Sequence, residues 1–112
     1  MAQVFVVEDE AMIREMLRNI LEGHHEVVAE VATRQDALEL VPQLKEKGVD
    51  VTILDGSLSR QSDDDGEIIA AVLRDQTPGI RIVSCSVREQ GWGDVNLSKP
   101  FSIQQLLAAV EG

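Results

Sequence analysis

Apolar residues along this chain alternate between short continuous runs and longer stretches at helical spacing. Val4-Phe5-Val6-Val7 is a continuous run, the pattern of a strand buried on both faces. Met12, Ile13, Met16, Leu17, Ile20 and Leu21 then fall on one helical stripe, and Gly23 is placed to end it. Residues 26–32 read as a second strand. Thr33 is positioned to cap a second helix whose apolar face is Ala37, Leu38, Val41 and Leu44, ending near Gly48. Pro42 lies inside that pattern and removes a backbone donor, so a kink or break is expected there.

Val49 to Leu54 is the third strand. Ile68, Ile69, Val72 and Leu73 mark a third helix, with Thr77-Pro78-Gly79 as its exit turn, and Ile80 to Cys85 is the fourth strand. Asp94 to Ser98 is a weaker fifth. The final helix opens with Ser102 and Gln105 at capping-box spacing and carries Ile103, Leu106, Leu107 and Val110 on one stripe. Strand and helix alternate almost throughout, which predicts an α/β fold: an open parallel sheet with helices on both faces. At 112 residues the chain has material for one domain, residues 1–112.

Composition narrows the partners. One tryptophan, two phenylalanines and no tyrosine leave the core to aliphatic side chains. A net charge of −10 argues against nucleic-acid binding by this domain, because displacing counterions from phosphates needs a basic face. The single cysteine, Cys85, excludes an internal disulfide and reads as a small core residue. No basic segment followed by an apolar core marks a signal peptide, and no apolar run approaches the roughly 20 residues of a membrane span. These features point to the cytoplasm and away from a membrane. His24-His25 has no companions at metal-ligand spacing and reads as a solvated turn.

Polar residues sit where apolar runs end: Glu8-Asp9 after the first, Asp55 after the third, Ser86 after the fourth and Lys99-Pro100 after the fifth. In a parallel sheet the carboxyl ends of the strands share one edge, so these residues converge there. Taken singly, each has a plainer reading. Glu8-Asp9 complements the positive end of a helix, Asp55-Gly56 makes a turn, and Lys99-Pro100 lies in a surface loop. Taken together, three carboxylates, a hydroxyl and an amine at one edge describe a cation and phosphoryl site.

At Glu8-Asp9, Leu54-Asp55, Ser86 and Lys99-Pro100-Phe101 the chain resembles the receiver domain of bacterial two-component response regulators. The likeness runs over nearly the whole length and includes Asp65-Gly66 at the start of the third helix. The resemblance implies a flavodoxin-like three-layer sandwich, five parallel strands in the order 2-1-3-4-5. It implies Asp55 as phosphoacceptor, with Lys99 and Ser86 contacting phosphoryl oxygens. It also implies Mg2+ held by Glu8, Asp9, Asp55 and the backbone carbonyl of Ser57, since a hard divalent cation takes oxygen ligands. The donor would be a sensor histidine kinase or a histidine phosphotransfer protein. Such a domain is not a conventional enzyme, although it takes phosphoryl groups from small donors and slowly hydrolyses its own acyl phosphate. A homodimer and an unidentified downstream partner are compatible with it. No DNA-binding or enzymatic module follows Gly112, so the chain reads as a stand-alone receiver or as one domain of a longer protein.

Three departures from that family bear on function. The loop after Asp55 is longer than usual and lacks the family's proline, with Asp63 to Asp65 read as the start of the third helix. The span from Ser86 to Lys99 is short. Val87 to Val95 leaves little room for a full helix, which needs about 10 residues, so the helix between the fourth and fifth strands is expected to be shortened or absent. Within that span Trp92 either plugs the gap over the sheet or serves as an exposed binding anchor. Finally, Asn96 occupies the place of an aromatic residue whose ring usually moves with the hydroxyl. Two rival readings follow. One is a pseudo-receiver that binds partners without phosphate. The other is a phosphohydrolase of the haloacid-dehalogenase kind, disfavoured because Ser57 stands where such enzymes carry a second acid.

Overall fold

The computed structural model describes residues 1–55, 65–86 and 91–112. Five parallel strands, β1 (Gln3–Val7), β2 (Glu26–Val31), β3 (Val51–Asp55), β4 (Arg81–Ser86) and β5 (Val95–Ser98), form one sheet in the order β2-β1-β3-β4-β5. The helices among the described residues are α1 (Ala11–Leu21), α2 (Arg34–Leu44), α3 (Asp65–Gln76) and α4 (Ile103–Glu111). The alternating pattern predicted the parallel sheet, and the strand order is that of the flavodoxin-like sandwich the resemblance implied.

Period-two alternation along the strands divides the core into two layers. Phe5, Val7, Leu54 and Ile82 face α2 and α3, where they meet Ala37, Val41, Leu44, Ile69, Ala70 and Leu73. Val4, Val6, Val51, Ile53, Val83, Cys85 and Leu97 face α1 and α4, against Leu17, Leu21, Leu106, Ala109 and Val110. Because β1 and β3 are covered on both sides, Val4 to Val7 and, but for Thr52, Val51 to Leu54 are apolar. Thr52, on the α2–α3 side of the central strand, is fully buried and its hydroxyl finds no hydrogen-bond partner among the described residues. An unsatisfied buried hydroxyl is costly, so Thr52→Val is expected to stabilise the fold by about 1 kcal/mol in urea titrations. A loss of stability would show that the hydroxyl is satisfied after all.

Several local expectations need correction. The helical stripe of α1 is narrower than its sequence pattern, since Met12 and Met16 are exposed while Leu17 and Leu21 carry the burial. Ile68 and Ile103 are likewise exposed. Pro42 does not break α2, which runs through it to Leu44. It lies close to the carboxyl end, where one lost backbone bond is outweighed by the burial of Val41 and Leu44 on either side. His25 is not a solvated turn residue. Its side chain is 7% exposed, and Nδ1 accepts the Ala2 amide at 2.9 Å while Nε2 lies 3.0 Å from Glu111 Oε2. The amide donor at Nδ1 places the ring proton on Nε2, which donates to Glu111 and ties the end of α4 to the start of the sheet.

The caps follow the sequence closely. Thr33 accepts from the Asp36 amide, and Ser102 with Gln105 forms the reciprocal capping box. α3 begins at Asp65, which is buried and paired with Arg34 at 3.3 Å. Asp63 and Asp64 lie outside the described residues, as do residues 87–90.

No helix among the described residues stands between β4 and β5, and β5 explains how the fold accommodates that. Its side chains alternate: Leu97 is buried in the α1–α4 layer, whereas Asn96 and Ser98, on the opposite face, are exposed. A helix would have covered that second face, and the sequence has made it polar instead. Trp92 is partly buried and packs against the α2–α3 layer, as a plug rather than a free anchor. No helix of the described residues is long and apolar enough to cross a membrane.

Candidate functional site

The carboxyl ends of the strands bring the expected residues to one edge. Val7 pairs with Leu54, so Glu8 emerges beside Asp55, the last residue of β3. Asp55 pairs with Cys85, which sets Ser86 one step beyond at the end of β4. Ser86 in turn pairs with Ser98, and the Lys99 amide donates to the Ser86 carbonyl at 2.8 Å. The ends of β1, β3, β4 and β5 thus bring Glu8, Asp55, Ser86 and Lys99 to one edge. The Lys99–Pro100 peptide is cis.

Lys99 is the electrostatic centre of this edge. Its Nζ donates to Glu8 Oε1 at 2.9 Å and lies 3.7 Å from Asp55 Oδ1. Glu8 and Asp55 are buried, and Asp9 is exposed at the rim. Oxygens of Glu8, Asp9 and Asp55 all lie within 4.8 Å of one another. Glu8 is held further by its backbone N–H, which donates to the Val31 carbonyl, by the Glu10 amide at its Oε2, and by Arg14, which donates to its carbonyl at 2.8 Å. Arg14 is a support that the sequence reading missed. It stands six positions beyond Glu8 and belongs to no motif that would have marked it.

The electrostatics follow from this crowding. Burial pushes the Glu8 carboxyl above its ordinary value, and hydrogen bonding and charge from Asp55 push it further, against the opposing pull of Lys99. Asp9 is raised by burial and by Glu8. Burial alone would lower Lys99, but its hydrogen bond to Glu8 and the negative charge of Asp55 outweigh that and leave it raised. Cys85, just beneath, has its thiol pushed up to about 12 by burial, so it is an inert core group rather than a nucleophile.

Three carboxylates facing one ammonium leave an excess of negative charge in a hard-oxygen pocket. That donor set fits a divalent cation of the Mg2+ or Ca2+ kind and fits softer metals poorly. Ser57, whose carbonyl the resemblance adds to the set, lies outside the described residues. The other predicted residues, Glu8, Asp9, Asp55, Ser86 and Lys99, are all at this edge.

A crevice of about 370 Å³ adjoins the site, lined by Ile13, Met16, Lys99, Pro100 and Phe101. A larger hollow of about 480 Å³ lies by Met1, Arg18, His25 and Glu26, at the opposite end of the strands and away from these carboxylates.

Comparisons with known proteins agree with the geometry. Among curated protein sequences none matches significantly. Solved structures match well in shape. The response regulator PhyR from Brucella abortus superposes with a TM-score of 0.80 at 23% identity, over 98% of this chain and 46% of that one. This chain therefore spans about half the length of PhyR. A response regulator receiver protein from Sinorhizobium medicae gives 0.80 at 24% identity, covering 98% of this chain and 91% of the other. The chemotaxis protein CheY4 of Vibrio cholerae gives 0.76 at 23% identity, covering 99% and 97%. At such identities these structures speak for the fold alone. The sequence profile of the response regulator receiver domain matches residues 4–111, and the chain belongs to that family.

Proposed function

We propose that this chain is a two-component receiver that accepts a phosphoryl group on Asp55 from a phosphohistidine of a sensor kinase or phosphotransfer protein. The observation that carries this reading is Lys99 Nζ held between Glu8 and Asp55 at a site with three converging carboxylates. An Asp55 oxygen attacks phosphorus, a P–O bond forms, the P–N bond to the donor imidazole breaks, and that nitrogen leaves with the bonding pair. Attack brings anion towards anion, so catalysis here is mostly charge neutralisation and alignment. Lys99 supplies a point charge to one phosphoryl oxygen and the Ser86 hydroxyl donates to another. Mg2+, when bound by Glu8, Asp9 and Asp55, with the Ser57 carbonyl, neutralises further charge on the transferring group. Water attacking the acyl phosphate breaks the bond between Asp55 oxygen and phosphorus and releases inorganic phosphate.

The partner would approach over the crevice beside Lys99, where Met16 leaves apolar surface exposed. The reading places the domain in the cytoplasm, as one unit over residues 1–112 without nucleic-acid contacts of its own, and leaves a homodimer open.

One observation favours a second reading, an interaction module that signals without phosphate. Asn96 stands at the aromatic position with its side chain hydrogen-bonded to Ser84 rather than free to follow Ser86. Incubation with acetyl phosphate and Mg2+, followed by intact-mass measurement, separates the two. Gain of one phosphoryl group on Asp55 is the expected result. A folded sample that gains none would overturn the phosphoacceptor reading in favour of the second.

A further inference from the structure

Lys99 reaches the site on a strand of only four residues, Val95–Ser98, at the edge of the sheet. Such a strand has few bonds to define its pairing. A slip of one residue would move Lys99 by about 3.3 Å and turn every side chain to the other face. The register is held at the far end by Asp94. Its amide donates to the Ile82 carbonyl at 2.8 Å, and its Oδ2 accepts the Ile82 amide at 2.8 Å. One residue thereby takes up both backbone groups of Ile82.

Asp94 is itself oriented from α3. Arg74 reaches its two carboxylate oxygens at 3.3 and 3.5 Å and donates to the Trp92 carbonyl at 2.6 Å. Between them Gly93 lies flat on β4, where an added Cβ would come within 2.9 Å of Ser84 Oγ and 3.2 Å of the Ser84 amide nitrogen. The same Ser84 is hydrogen-bonded to Asn96. The segment from Gly91 to Asp94 is thus a clasp joining α3, β4 and β5 on the α2–α3 face, where no described helix covers β5. As an ion pair the half-exposed Arg74–Asp94 contact is worth little. Its consequence is geometric.

We propose that Asp94, oriented by Arg74, is a positioning residue for Lys99: it sets the register of β5 on β4 and so delivers the ammonium to Glu8 and Asp55. This rests on the catalytic role proposed for Lys99, but the register itself is measured without phosphorylation. The test compares Asp94→Ala with Asp94→Asn, which keeps an oxygen for the Ile82 amide. NMR follows hydrogen exchange at the Lys99 amide and the chemical shifts of the Lys99 side chain. In Asp94→Ala, Lys99 amide protection falls by at least about tenfold and the side-chain shifts move, five positions from the change. Asp94→Asn restores most of both. Phosphoryl uptake from acetyl phosphate falls about tenfold in the first variant and recovers in the second. Should Asp94→Ala fail to fold, Arg74→Ala replaces it and is expected to show a smaller loss of protection at the amides from Val95 to Lys99. Unchanged Lys99 protection and shifts in the folded variant would overturn the proposal. If the NMR changes occur while even the unaltered chain takes up no phosphate, the register role stands and only the phosphoacceptor reading falls.

Discussion

Asp55→Asn is expected to lose phosphoryl uptake from acetyl phosphate and Mg2+ by at least about 1,000-fold relative to the unaltered chain. The amide is neutral and its oxygen is a poor nucleophile, while its size and place at the end of β3 are kept. Asp55 is also one of the groups that raises Glu8. Removing its charge relieves crowding, so the variant should melt at the same temperature as the parent or slightly higher. Inactivity would then report lost chemistry rather than lost fold. Intact mass and thermal melting on the same samples check both halves. Undiminished uptake by Asp55→Asn would move the acceptor to another carboxylate of the cluster, with Asp9 the first to examine because it is the exposed one.

Lys99→Met is expected to cost both stability and chemistry. The methionine keeps most of the apolar stem but leaves Glu8, which is almost completely buried, without its cation. Breaking a buried pair from one side is expensive, and Glu8 limits the cost by taking up a proton, so we expect a loss of about 2 kcal/mol at neutral pH. The pH dependence has a definite sign. Glu8 is already raised in the folded state, so its protonated form favours folding at low pH and that margin disappears as pH rises through the raised value. Lys99 is also raised, so its contribution is present below its unfolded value of 10.5 and disappears as pH rises past the folded one. Without Lys99 the Glu8 carboxyl moves further up. The two proteins should therefore differ little near about pH 3, where carboxyl groups are largely protonated, and diverge towards neutrality. Urea denaturation across that range measures it. A difference that is constant with pH would mean that Lys99 stabilises by packing alone. Phosphoryl uptake should fall by about 100-fold or more, since a positioned charge on the transferring group is lost.

The polar positions at the strand ends were legible because they are tied to periodicity. A run such as Val4 to Val7 ends where a charged residue begins, and parallel strands present their carboxyl ends together. Glu8, Asp9, Asp55, Ser86 and Lys99 could be assigned to one edge on that ground. The shortened span before Lys99 was legible too, because a helix cannot form from too few residues. The strand β5 even carried the reason in its alternation of Val95, Asn96, Leu97 and Ser98, a pattern for one dry and one wet face. Asn96 read at first as a missing aromatic, and it is better understood as a residue for a face that no described helix covers.

Other features were hidden because they depend on contacts between distant parts of the chain. Met12 and Met16 have the spacing of core residues, and only the position of α1 on the sheet leaves them exposed. His25 had no motif, yet folding brings Ala2 and Glu111 to its two nitrogens. Asp94 and Arg74 are ordinary charged residues until α3 and β4 set them side by side.

By itself the sequence determined the order of strands and helices, the caps at Thr33 and Ser102, and the polar residues at the ends of β1, β3, β4 and β5. These depend on local spacing and on backbone chemistry that acts within a few residues. Tertiary structure alone decided that Lys99 pairs chiefly with Glu8, that Arg14 braces Glu8 from α1, and that Asp94 sets the edge strand which brings Lys99 in. Those outcomes depend on distances of a few ångströms between elements, and the register of packed strands fixes such distances where no local pattern can.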